Sequence, residues 1–221
     1  MTFAYSGIDT VFNTDTDKIN CIAIENRKFY ADIVSDISGQ IAGSDGKAVM
    51  SFKKAVVDFS KYADILTSFF PFDLNRKTIL TKIASELENR AQSAEHYIQT
   101  SELLSDIEKY LNDLASDFSF DLAYKKLSAS SLIKSVGIEI VDDSISLAGE
   151  VLNYMSLVRE FDGNKLFFTV NLRSFIEDDE MNELMKCMVM HRFDVIMLEN
   201  CSYPVCEYEK RFTVDSDLCC F

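Results

Sequence analysis

Two apolar runs decide the fold: Lys165-Leu166-Phe167-Phe168-Thr169-Val170-Asn171-Leu172 and, beyond an acidic segment ending at His191, Asp194-Val195-Ile196-Met197-Leu198-Glu199-Asn200. Both are short, rich in β-branched and aromatic residues and free of polar alternation, as strands covered on both faces are. The segment between them has helical spacing, so the three pieces read as a parallel βαβ unit. The runs close on polar tips, Asn171 and Glu199-Asn200, at the strand ends where open α/β sheets carry their sites.

Outward from this unit, a helix from Ser144 to Phe161 turns Ile145, Gly149, Leu152, Met155 and Val158 toward the sheet. Before it, Ile138-Glu139-Ile140-Val141 reads as a strand and Ser128 to Val136 as a helix stopped by Gly137. Near the start, Phe3-Ala4-Tyr5 and Ile19 to Ile24 read as strands, and Asn26 to Ile41 as a helix ending in the stretch Gly39 to Gly46. Ala48 to Phe52 and Ala55 to Phe59 read as paired strands around Lys53-Lys54, whereas Asp58 to Phe72 fits helix and strand alike. From Asn75, a candidate N-cap, Ile79, Ile83 and Leu87 and then Leu103, Leu104, Ile107, Leu111 and Leu114 recur at helical spacing, so Asn75 to Asp117 reads as a two-helix antiparallel hairpin or a long kinked pair, without strands. Phe118 to Tyr124 reads as a short extended piece. The fold class is α/β, interrupted by a helical sub-domain: residues 1–72, the first part of the α/β body; 73–137, helical; 138–221, the second part.

The chain has 221 residues, with 22 Lys and Arg against 36 Asp and Glu and a net charge of −14. Such a surface does not coat nucleic acid or an anionic membrane with its whole extent, although a local basic face stays open. No stretch reaches the roughly 20 apolar residues that span a bilayer, and no signal core follows the N-terminus; the reading is a soluble, cytoplasmic protein without a membrane partner. The six cysteines show no C-x-x-C pair, which suits a reducing compartment. A zinc site can be drawn from Cys187, His191, Cys201 and Cys206, but structural zinc takes tighter pairs, and small apolar packing is the alternative.

The chemical motifs are mostly absent. In Gly43-Ser44-Asp45-Gly46-Lys47-Ala48 the first glycine and the hydroxyl of a phosphate loop are missing, since Ile41 and Ala48 hold those positions, so no nucleotide is expected. Asn171 stands where a metal-binding Asp would end the strand of a nucleotide hydrolase, and a helix-capping Asn is the plainer reading. There is no G-x-S-x-G elbow. His96 falls in a polar break and His191 at a helix end, where its cation would suit the dipole. The runs Asp142-Asp143 and Glu177 to Glu180 begin helices, which welcome carboxylates. Against the acidic background Lys53, Lys54, Lys61, Lys125, Lys126 and Lys134 cluster, either as scattered solubilising residues or as a phosphate-binding face.

Taken in order, several pieces resemble the accessory spacer-acquisition protein of type II-A CRISPR systems. They are Phe72-Asp73-Leu74-Asn75 with Thr78-Ile79-Leu80; Phe120-Asp121-Leu122-Ala123-Tyr124; Leu132 to Ile140; Leu166 to Asn171; Asp179-Glu180; Val195 to Glu199; and Phe212 to Asp217. The resemblance implies a nucleotide-hydrolase-like α/β head without a functional phosphate loop, plus a helical leg. It further implies a homotetrameric ring that threads double-stranded DNA ends without reading their sequence, working with the CRISPR integrase and effector nuclease. That family holds calcium with acidic residues near the end of the leg. Asp117 and Asp121 match those carboxylates, but Lys125 and Lys126 replace an acidic pair, and a hard cation taking six or more oxygens is poorly served by two lysines. Their ammonium groups are therefore charge substitutes for the metal. Lys53, Lys54, Lys61 and Lys134 are the expected DNA contacts, because they sit in or beside strand-turn segments rather than mid-helix.

Two rival readings remain. One is a degenerate nucleotide-binding protein or magnesium-dependent nucleic-acid hydrolase using Asp121, Asn171 or Glu199; the other is an oligomeric interaction module without nucleic acid.

Overall fold

The computed structural model of the chain describes residues 1–120, 122–124, 126–141 and 143–221. In chain order it begins β1 (Thr2–Tyr5), β2 (Val11–Asn13), β3 (Ile19–Ile24), α1 (Arg27–Ile41), β4 (Ala48–Phe52), β5 (Ala55–Val56), α2 (Phe59–Tyr62) and β6 (Ala63–Leu66). Three helices follow, α3 (Lys77–Ala91), α4 (Tyr97–Leu114) and α5 (Ala129–Val136). The chain closes with α6 (Leu147–Asp162), β7 (Leu166–Val170), a 3-10 turn at Leu172–Ser174, α7 (Asp178–Met190), β8 (Asp194–Glu199) and β9 (Glu209–Val214). Two compact units result: Met1–Leu74 with Asp142–Phe221, and Asn75–Val141.

The first unit holds two sheets. The parallel one has the order β6-β7-β8-β3-β9, and the antiparallel one β2-β1-β4-β5. The two apolar runs, Leu166 to Val170 and Asp194 to Glu199, are adjacent parallel strands in register, Phe168 opposite Ile196 and Thr169 opposite Met197. Every residue of β3 is buried, as expected of a strand covered on both faces. One face of the parallel sheet, with Ile22, Phe168, Ile196 and Leu198, packs on Ile33 and Ile37 of α1 and on Phe3, Phe12 and Met50 of the antiparallel sheet. Phe3 meets Phe168 edge-on, with ring centroids 5.0 Å apart. Burial of side chains this large is worth about 1.5–3 kcal/mol each, so this layer contributes heavily to the stability of the unit. Helices α6 and α7 pack side by side and bury Tyr154, Met155 and Val158, and Leu184, Met185 and Met188.

The segment Asp58 to Phe72 takes both of the forms its sequence allows. It makes the single turn α2, capped by the Asp58 side chain accepting from Ser60 N–H, and then the strand β6 at the edge of the parallel sheet. The stretch Gly43 to Lys47 is not placed to cradle phosphate. It follows α1 and leads into an antiparallel strand, and the Asp36 carboxylate accepts bonds from the Lys47 and Ala48 amides at 3.0 and 3.2 Å. The turn from β3 into α1 is only Glu25-Asn26, where the Asn26 side chain accepts from Phe29 N–H at 3.0 Å. The expected α/β head without a functional phosphate loop is therefore the observed fold.

In the second unit α3 packs on α5, and two expectations fail for one reason. Asn75 does not cap α3; the cap position is Arg76. Its amide instead bonds the backbone of Ile140 in both directions, accepting from Ile140 N–H at 2.7 Å and donating to its carbonyl at 3.3 Å. With its polar groups engaged by a side chain, the run Ile138 to Val141 forms no strand. The described residues of Phe118 to Tyr124 also lie in turn and irregular structure, where Phe118 and Phe120 stack and the Tyr124 hydroxyl donates to the Leu111 carbonyl at 3.0 Å. Helix α5 starts as its sequence directs, in a capping box between Ser128 and Ser131. Among the described residues no helix is long and apolar enough to cross a membrane.

Candidate nucleic-acid interface

Lys53 and Lys54 form the whole connection between β4 and β5, because Phe52 pairs directly with Ala55. A two-residue hairpin connection of type I′ needs positive φ at both positions to match the strand twist, a requirement met most cheaply by Asn-Gly. Here the φ angles are 50° at Lys53 and 67° at Lys54. Each left-handed conformation costs a residue with a Cβ about 1–2 kcal/mol. The chain therefore holds two cations at a turn whose geometry disfavours them, and both are exposed. The Lys53 ammonium sits 5.2 Å from the centroid of the Phe52 ring.

The other expected DNA contacts are placed differently. Lys61 lies in the short helix α2 and Lys134 in the last turn of α5 in the second unit. Their side chains are exposed, Lys61 two residues before the edge strand β6 and Lys134 within the helix that the sequence reads from Ser128 to Val136. Lys134 borders a groove of about 450 Å³ between α3 and α5 that Leu80, Ala84, Ile133 and Ile138 line with apolar surface. The structure thus brings together Lys53 and Lys54 by chain adjacency.

For the calcium reading, Asp117 and Lys126 are exposed, while Asp121 and Lys125 lie outside the described residues, as does Asp142 of the acidic run. Among the described residues no three or more His, Cys, Asp or Glu side chains gather so as to hold a metal ion. Cys206, a candidate zinc ligand by sequence, is buried beside Arg173, whose guanidinium donates to its sulfur at 3.5 Å.

The carboxyl ends of the parallel strands carry a polar network directed inward. Asn171, at φ 55°, occupies the cap position of the following 3-10 turn, but its side chain makes no capping bond there. Its side-chain oxygen accepts from the Tyr30 hydroxyl at 2.8 Å and from Asn200 N–H at 3.0 Å, tying α1 to the ends of two strands. Glu199 is wholly buried. Its Oε1 accepts from Arg173 N–H at 3.2 Å, and Oε2 has no hydrogen-bond partner. Burial pushes the carboxyl up to about 7, against the opposing pull of the Arg173 amide and guanidinium.

Arg173, also buried, was missed by sequence reasoning. It donates to Glu209 at 2.9 Å, to Asp178 at 2.8 Å and to the Pro204 carbonyl at 2.8 Å, fixing the loop between β8 and β9. The isolated Arg in an otherwise apolar segment after Asn171-Leu172 was the available signal. These partners use the network for structure. A solvent-borne magnesium ion would have to reach a carboxylate with no exposed surface.

No curated protein matches the sequence. A crystal structure of Stu0660 of Streptococcus thermophilus is similar in fold, with a TM-score of 0.52 at 11% identity over 91% of this chain and 69% of that one. Residues 40–218 match the family described as CRISPR-associated protein (Cas_Csn2), well over half of the 221 residues, and the chain belongs to that family of CRISPR-associated proteins.

Proposed function

We propose that the chain is a non-catalytic protein of CRISPR spacer acquisition, acting in the cytoplasm as a homotetrameric ring that binds and threads double-stranded DNA ends. The observation that carries this reading is the Lys53-Lys54 turn, where two exposed cations hold left-handed positions suited to Asn and Gly. A pair of ammonium groups at a hairpin tip contacts phosphate without reading bases, which gives affinity independent of sequence. Lys61 and Lys134 supply further phosphate contacts. Membership of a CRISPR-associated family supports the setting; as protein partners we propose the CRISPR integrase and effector nuclease. With a net charge of −14, the ring turns most of its carboxylates to bulk water and its lysines to the DNA.

Ring formation in this reading needs no calcium: we propose that the ammonium groups of Lys125 and Lys126 stand in for the metal by pairing with Asp117 or Asp121. Against the hydrolase alternative stands the burial of Glu199 and the engagement of Asn171 by Tyr30 and Asn200. The test compares binding of linear and covalently closed circular duplex of equal length by the purified chain, with its mass in solution measured alongside. A mass four times that of the chain, with preference for linear duplex, is the expected result. A monomer, equal affinity for circles, or DNA cleavage lost in Glu199→Gln would overturn the reading.

A further inference from the structure

Among the described residues five non-glycine positions have positive φ: Lys53, Lys54, Asn171, Arg192 and Leu218. Three of the five are basic, and those three line one groove of about 950 Å³ in the first unit. Arg192 reaches it from the far end of the sequence. It follows α7 at φ 53°, its N–H donating to the Val189 carbonyl at 2.9 Å, while the next amide, of buried Phe193, donates to Met188 at 2.9 Å. That pair of bonds is the Schellman ending of a helix, whose left-handed position is usually Gly and sometimes Asn. The chain thus places a cation instead of Gly or Asn at three turn positions, on two separate connections, and all three border the same space.

We infer that this groove receives the sugar–phosphate backbone of the duplex and that Arg192 is a third phosphate contact beside Lys53 and Lys54. The inference rests on the duplex-binding reading above and adds a residue and a path to it. Arginine suits the task because its planar guanidinium meets two phosphate oxygens at once, while the two ammonium groups act as point charges. Asn13 and Asn164 add neutral donors to the lining. Three carboxylates also border the groove, Asp15, Asp17 and Asp194. Asp194 accepts a bond from the Thr14 hydroxyl, whereas Asp15 and Asp17 are exposed on the connection from β2 to β3 and oppose a phosphate.

The test uses the full chain and a linear duplex of arbitrary sequence. In Arg192→Gly the helix ending gains its preferred residue, so the melting temperature rises by about 2–4 °C. The same variant binds duplex more weakly, and the slope of log K against log salt becomes shallower by about 0.9 for every phosphate no longer neutralised. Arg192→Asn, also suited to the left-handed position, gives the same pair of changes should the glycine variant fold poorly. Asp15→Asn with Asp17→Asn tightens binding. If Arg192→Gly and Arg192→Asn bind with unchanged affinity and slope while Lys53→Ala with Lys54→Ala binds more weakly, the role of Arg192 is overturned and the duplex reading survives. If the unaltered chain binds no duplex, both fall.

Discussion

At the residue scale the most consequential group is Glu199, because its carboxyl is wholly buried with one oxygen unpartnered. Burial raises its pKa from 4.5 to about 7, so the folded chain holds this proton more tightly than the unfolded chain does. The contribution therefore favours folding below the unfolded value and is lost as pH rises through that window. The change is on the order of 3 kcal/mol from 1.36 kcal/mol per pKa unit. Glu199→Gln removes this dependence: chemical denaturation is expected to show a flatter stability profile across the window, and a profile identical to that of the unaltered chain would assign the titration elsewhere. Lys53→Asn with Lys54→Gly has an opposite pair of effects, gaining about 1–2 kcal/mol at the turn while weakening the grip on phosphate. Calorimetry and duplex binding of that double variant should move in opposite directions, and parallel movement would refute a binding role for the turn. The polar tips Asn171 and Glu199 were legible in the sequence as the ends of strands. Their inward use was not, since it depends on Tyr30, remote in the chain, and on the loop that Arg173 folds back.

At the scale of elements, period and length sufficed where hydrophobic burial alone decides structure. The runs at β7 and β8, the helix between them and the continuous burial of β3 follow from uninterrupted apolar sequence. The pairing of β4 and β5 around Lys53-Lys54 was legible too, although the cost at its turn appears only in the backbone angles. Ile138 to Val141 has a strand-like composition, yet the Asn75 side chain bonds the Ile140 backbone in both directions, a competition that propensity does not encode. Asn75→Ala is expected to destabilise the second unit by about 1–3 kcal/mol, because it leaves the Ile140 amide without this partner. Hydrogen exchange at Ile140 should accelerate while exchange in β3 stays slow; unchanged exchange at Ile140 would show that this pair does not hold the segment.

At the scale of the whole molecule, the proposed function requires an acidic chain to separate its charges in space. The excess of 36 acidic over 22 basic side chains made general adhesion to polyanions implausible from composition, and only placement identifies Lys53, Lys54 and Arg192 as bordering one groove. Composition could not show that arrangement, because it arises where the β4 to β5 turn and the end of α7 meet through the fold. The most direct measurement of the central claim is the salt dependence of affinity for linear duplex, made with the unaltered chain and with Lys53→Ala plus Lys54→Ala. The account predicts that log K falls linearly with log salt, by about 0.9 for each phosphate neutralised, and that the double variant has both a weaker affinity and a shallower slope. Affinity independent of salt, or a double variant with the slope of the unaltered chain, would contradict it.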